Sequence, residues 1–153
     1  MLDQSDLKKI KELSEEFFQK TTILVSYIEA VLPIGDVVDL SVKLEEPQIL
    51  IGEKGQTLFE IQRLLKIILN KKLQKVFYLN LDINDYKKKK IEYLKGIAKD
   101  MADEVVLTKE KKVLYSMPAY ERRIIHTELA KRQDVIAESQ GEDPDRQIVI
   151  SPK

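Results

Sequence analysis

Two short stretches of this chain carry residue types whose spacing can do chemistry: Gly52-Glu53-Lys54-Gly55, and Arg122 with His126. Glycines three positions apart open backbone angles closed to other residues and clear the main chain of side chains. A helix starting directly after them turns unpaired N–H groups and a partial positive charge toward the same place. Lys54 adds a mobile cation, so the group that suits such a loop is a phosphodiester. Glu53 works against it, standing where a second cation would serve better. Arg122 and His126 are four residues apart, which on a helix puts them on one face, about 6 Å apart along the axis. A guanidinium fork matches phosphate oxygens, and an imidazole can donate a hydrogen bond or stack on a base. Taken alone, each motif also has a bland reading, a plain tight turn and a half-packed helix surface.

Other chemistries find little here. A P-loop needs G-x-x-x-x-G-K-[ST], but Gly55 is followed by Gln56 and the glycines are too close together; G-x-G-x-x-G is absent. With no cysteine and one histidine, disulfides, thiolate metal sites and sites needing two imidazoles are ruled out. No nucleophile–base spacing stands out, and adjacent carboxylates such as Glu15 and Glu16 point apart on a helix. The expectation is no catalytic residue, no metal and no cofactor. A nuclease built from Asp and Glu alone is the residual enzymatic rival.

The chain has 153 residues, with 43% apolar and 34% charged, a globular balance that suits one large or two small domains. Lys plus Arg and Asp plus Glu both number 26, so any basic excess is local. Between Gly52 and Lys75 lie Lys54, Arg63, Lys66, Lys71, Lys72 and Lys75 against Glu53 and Glu60, whereas ESQGEDPD is acidic. No apolar run approaches membrane-spanning length and the N-terminus lacks a secretory signal, so the expectation is a cytoplasmic chain without membrane insertion.

The elements that must position these residues follow from periodicity. Leu7, Ile10, Leu13, Phe17 and Phe18 predict a helix over 4–19, and TTILVSYIEAVLP predicts a strand through about Glu29. Val38, Leu40, Val42 and Leu44 alternate with polar residues in a half-buried strand. QILI allows one helical turn, and Thr57 with Glu60 matches a capping box opening a helix whose stripe includes Leu58, Leu65 and Leu69. VFYLNLDI reads as a strand with Val76, Tyr78 and Leu81 among its apolar residues. Asn84 or Asp85 caps the next helix, whose apolar face is Ile91, Leu94, Ile97 or Ala98, Met101 and Val105. KKVLYSM reads as a strand, AYERRIIHTELAKR as a helix with Arg122 and His126 on the flank of its apolar side, and DVIAES with RQIVIS as a hairpin.

The order α-β-β-α-GxxG-α-β looks like a KH domain of the bacterial type (type II), a fold that clamps about four nucleotides of a single strand on its GxxG loop. With PAYERRIIHTEL and ESQGEDPDRQIVISP following, the chain resembles the Jag (SpoIIIJ-associated) family of bacteria. There a KH domain precedes the domain named R-three-H for an arginine and a histidine with three residues between. Arg122 and His126 match that pair. The resemblance implies an α+β chain, with a KH domain over 1–83 and a small α/β Arg-x-x-x-His domain over 84–153. It implies a non-catalytic binder of single-stranded RNA, with single-stranded DNA as the second candidate. The expected contacts are Gly52, Glu53, Lys54 and Gly55 in the loop and Arg122, His126, Arg123 and Arg146 in the second domain, with Ile49, Ile51 and Leu58 near the bases. Many family members begin with a further small N-terminal domain, so this chain reads as a short form. The run Lys87–Lys90 reads first as a solvated helix face and second as an extension of the binding path. The rival from another class is a protein-interaction adaptor whose KH-like scaffold binds nucleic acid weakly or not at all.

Overall fold

The structure, a computed structural model, describes residues 1–153. The chain forms two compact units, Met1–Lys87 and Lys88–Lys153. Both are α+β, and the architecture is consistent with a KH domain followed by an Arg-x-x-x-His domain.

In the first unit, α1 (Gln4–Lys20) opens with a reciprocal capping box. Asp6 N–H donates to the Asp3 carboxylate and Asp3 N–H to the Asp6 carboxylate, both at 2.9 Å. Strands β1 (Tyr27–Ile34), β2 (Val37–Lys43) and β3 (Tyr78–Ile83) form a sheet of order β1-β2-β3. β1 and β2 pair as an antiparallel hairpin, whereas β2 and β3 are parallel. The parallel pair requires a crossover, supplied by α2 (Gln48–Ile51), a 3₁₀ turn at Glu53–Gly55, and α3 (Gln56–Leu73). Ile10 and Phe18, Val38, Leu40 and Val42, Leu58, Leu65 and Leu69, and Leu81 and Ile83 join in one core.

Several sequence expectations shift. β1 begins at Tyr27 rather than Thr21 and runs through Pro33, which is tolerated because β1 is an edge strand with a register break between Val31 and Ile34. In β3 the inward face is Leu79, Leu81 and Ile83 while Tyr78 is exposed, since strand period sets the face and not apolar character; Val76 lies before the strand and is exposed. Asn84 and Asp85 do not cap the next helix. Asp82 Oδ1 accepts from Lys87 N–H at 3.0 Å, and Asn84 instead exchanges two hydrogen bonds with the Leu44 backbone, closing the end of β2 on β3.

The long helix α4 (Tyr86–Thr108), whose first two residues belong to the first unit, buries Leu94, Ala98, Ala102 and Val105 in the second, a stripe at helical spacing. β4 is only Lys112–Val113, shorter than KKVLYSM suggested, although beyond it Leu114 N–H still donates to Ile148 O at 2.8 Å. After it come α5 (Ala119–Leu129), β5 (Val135–Gln140) and β6 (Gln147–Pro152), in a sheet of order β4-β6-β5. β5 and β6 form the expected antiparallel hairpin, and Ile125, Leu129, Val135, Ile148 and Ile150 complete the core with α4.

Candidate nucleic-acid interface

The glycine loop is built by its own backbone. α2 ends at Gly52, with φ +71°, and its N–H donates to Gln48 O at 2.9 Å. Lys54 (φ +50°) and Gly55 (φ +81°) are also left-handed, so the chain turns sharply into α3. Both glycines answer to packing as well as to angle. A Cβ on Gly52 would stand 2.0 Å from Thr57 Oγ1, and one on Gly55 would meet the Tyr86 ring at 3.0 Å. The capping-box reading of Thr57 and Glu60 is therefore corrected. α3 starts two residues earlier, at Gln56, its N-cap is Gly55, and Thr57 fills the space beside Gly52. The first turn of this 18-residue helix has no side-chain cap, and Glu53 and Lys54 stand exposed at the tip before it.

Around the loop the expected apolar contacts divide. Ile49 is 61% exposed, Ile51 is half-buried against the core, and Leu58 is fully buried beneath α3, out of reach of any ligand. Among the local cations, Lys75 is held by Asp6 at 2.6 Å, and Lys66 lies 4.9 Å above the Tyr78 ring. Lys54, Arg63, Lys71 and Lys72 remain on the surface.

The second site departs further from the helical-wheel picture. Arg122 is buried rather than flanking. Its Nη1 donates to Met117 O at 2.6 Å and to Asp143 Oδ1 at 2.8 Å, and Nη2 faces Asp143 Oδ2 at 3.4 Å. The fork expected to meet phosphate thus already grips a carboxylate on the β5–β6 turn. That guanidinium holds the Asp143 carboxyl below its ordinary range. His126 is half-buried, and its Nε2 shares a hydrogen bond with Ser139 Oγ on β5 at 2.7 Å. Burial, followed by the charges of Arg122 and Arg146, lowers the His126 pKa and favours the neutral ring. Arg146 is partly exposed and donates to Gly141 O at 3.3 Å, while its own carbonyl accepts from Met117 N–H.

The structure therefore gathers Arg122, His126 and Arg146 with Asp143 and Ser139. Arg123 lies elsewhere, in a groove of about 380 Å³ between α4 and α5 with Lys95, Tyr120 and Lys131. Asp143 and Ser139 escaped sequence reasoning because nothing local ties either to a helix 21 or 13 residues away. The run Lys87–Lys90 also divides. Lys88 and Lys89 are solvated, Lys90 pairs with buried Glu121 at 3.4 Å, and Lys87 is drawn into a side-chain network. No three His, Asp or Glu side chains are grouped to hold a metal ion, and no helix is long and apolar enough to cross a membrane.

Fold and site together define a two-unit α+β protein in which a GxxG-bearing KH-type unit precedes a unit organised by an Arg-x-x-x-His helix. Residues 92–152 match the R-three-H domain family. The chain is 37% identical over 115 residues to the RNA-binding protein KhpB of Clostridium symbiosum, covering 75% of this chain and 52% of that one. It is 35% identical over 111 residues to the KhpB of Bacillus subtilis, 71% and 53% of the two chains. Against the KhpB of Lactiplantibacillus plantarum it is 35% identical over 103 residues, 67% and 32%. These matches support the likeness to the Jag (KhpB) family. The chain spans about half the length, or less, of these three relatives.

Proposed function

We propose that the chain binds single-stranded RNA without catalysing a reaction on it. The observation that carries this is the loop at Gly52–Gly55, where an exposed lysine in a left-handed turn stands directly before the uncapped start of an 18-residue helix. Backbone N–H groups, helix charge and the Lys54 ammonium converge there on one small region, which suits a phosphate. The relatives named as RNA-binding proteins support RNA over other polyanions.

In the second unit the exposed face of Arg146 and the edge of His126 are the proposed contacts. Arg122 works from behind them. By gripping Asp143 and Met117 it fixes the β5–β6 turn against α5 and places a positive charge under the imidazole. Arg123 serves a separate face of the same unit. We place the activity in the cytoplasm, with no part of the chain inserted in a membrane.

Fluorescence anisotropy with short single-stranded RNA and DNA oligomers at several salt concentrations tests the reading. RNA should bind with affinity falling steeply as salt rises, by a log–log slope of about −0.7 per phosphate contacted. Binding insensitive to salt, or none at all, would reject RNA and leave the protein-interaction adaptor as the better description.

A further inference from the structure

Four side chains outside the two motifs meet at the open edge of β3. β2 covers only one side of this strand. Tyr78 N–H donates to Asp36 O and Asn84 N–H to Val42 O, so the alternate N–H groups of Leu79, Leu81 and Ile83 face outward. Gln62 on α3 takes the Leu81 N–H on its Oε1 at 2.9 Å. The same oxygen accepts from Lys87 Nζ at 2.7 Å, and Asn80 Oδ1 accepts from Lys87 Nζ at 2.9 Å. Asn80 is itself oriented, since its Nδ2 donates to Asp39 Oδ1 at 3.0 Å. The ammonium also lies 5.5 Å from the centre of the Phe59 ring, within cation–π range.

Lys87 is thus a fixed, half-buried cation, unlike Lys88 and Lys89 beside it in the sequence. Two of its three N–H groups are directed at Gln62 and Asn80, leaving one donor to give. Phe59 is 46% exposed and lies one helical turn, about 6 Å, beyond Gly55. At that distance a base next to a phosphate held on the Lys54 loop would be within reach of this ring. Aromatic stacking accepts every base, so discrimination must come from the polar groups at the rim.

We propose that Phe59, Gln62, Asn80 and Lys87 form a nucleobase site in which the Lys87 ammonium selects keto bases, uracil or guanine, over the amino bases cytosine and adenine. Uracil offers O4, and guanine O6 with N7, as acceptors for the spare N–H. Cytosine turns an amino group toward the same edge and sets donor against donor. Adenine keeps N7 but places its amino group where guanine has O6, so it loses one of guanine's two acceptors. The inference rests on the single-strand reading above and adds a preference to it.

Uridine and cytidine octamers isolate the effect, because the two pyrimidines differ at the edge Lys87 would read and stack weakly alike. In anisotropy titrations the protein should bind oligo-U about fivefold or more tighter than oligo-C. Lys87→Met should bring that ratio near one, Lys87→Arg should keep it, and Lys54→Glu should weaken both oligomers equally. A ratio near one in the unaltered protein, or a ratio that survives Lys87→Met in a variant folded by circular dichroism, overturns the site while leaving RNA binding intact. No binding to octamers of any of the four bases overturns both. If Lys87→Met does not fold, the unaltered protein's ratio and its retention in Lys87→Arg still decide.

Discussion

Arg122 and Asp143 are joined by an ion pair, Nη1 to Oδ1 at 2.8 Å, although 21 residues separate them in sequence. The arginine is almost fully buried, with 8% of its side chain exposed, and the aspartate stands largely in solvent at 64%. The buried partner is the one whose loss matters more, since it also satisfies Met117 O.

Arg122→Ala should therefore destabilise the second unit by about 1–3 kcal/mol, the range for leaving a buried acceptor unpaired. Arg122→Lys should rescue little, because an ammonium cannot span the carbonyl and both carboxylate oxygens as a fork does. Urea unfolding followed through the His126 resonance reads this unit directly. A fully stable Arg122→Ala with reduced RNA affinity would show instead that the guanidinium acts on ligand.

The same pair has a pH signature. The Asp143 carboxyl titrates below its unfolded value, so its contribution is present above the ordinary carboxylate range and is lost as pH falls through the lower folded value. Asp143→Asn should flatten the loss of second-unit stability below about pH 4. Acid unfolding curves of the two proteins make the comparison.

His126 titrates below its ordinary value, through burial first and then the charges of Arg122 and Arg146. Between the folded value and about 6.5 the unfolded chain holds more protons, so this part of the stability is greatest above pH 6.5 and declines as pH falls toward the folded value. Because it is the single histidine, its ring proton gives one assignable NMR titration. The midpoint should lie below 6.5 in the free protein and rise when RNA brings phosphate close.

Gly52→Ala should cost more than Gly35→Ala. Both residues have positive φ, a strain of about 1–2 kcal/mol for a side chain, but only at Gly52 would the new methyl overlap Thr57. Chemical denaturation should rank them in that order. Equal costs would mean that Thr57 moves aside freely.

Charge at the loop tip can be changed without touching either glycine. Lys54→Glu should lower RNA affinity and flatten the salt slope by about 0.7, and Glu53→Lys should raise affinity. Both side chains are exposed, so stability should stay within about 0.5 kcal/mol. An unchanged slope in both variants would remove the loop from the binding surface.

Much of this protein was already determined by sequence alone. The helix at Gln4–Lys20, the alternation of Val38, Leu40 and Val42, the crossover through the glycine pair and the final hairpin all follow from local periodicity and turn chemistry. What only the tertiary structure decided is where polar side chains find partners. Thr57 had the spacing of a cap but fills the hollow beside Gly52, and Asp82 took the capping role expected of Asn84 or Asp85. Arg122 looked like a surface residue on a helical wheel, yet Asp143 and Met117 draw its guanidinium inside. Lys87 stands in a run of four lysines, and only the position of β3 beside α3 distinguishes it from its neighbours. The physical reason is common to all of these. Backbone conformation and apolar faces depend on residues within a few positions, which a sequence displays, whereas a buried or fixed polar group takes its partner from whatever chain the fold brings past it.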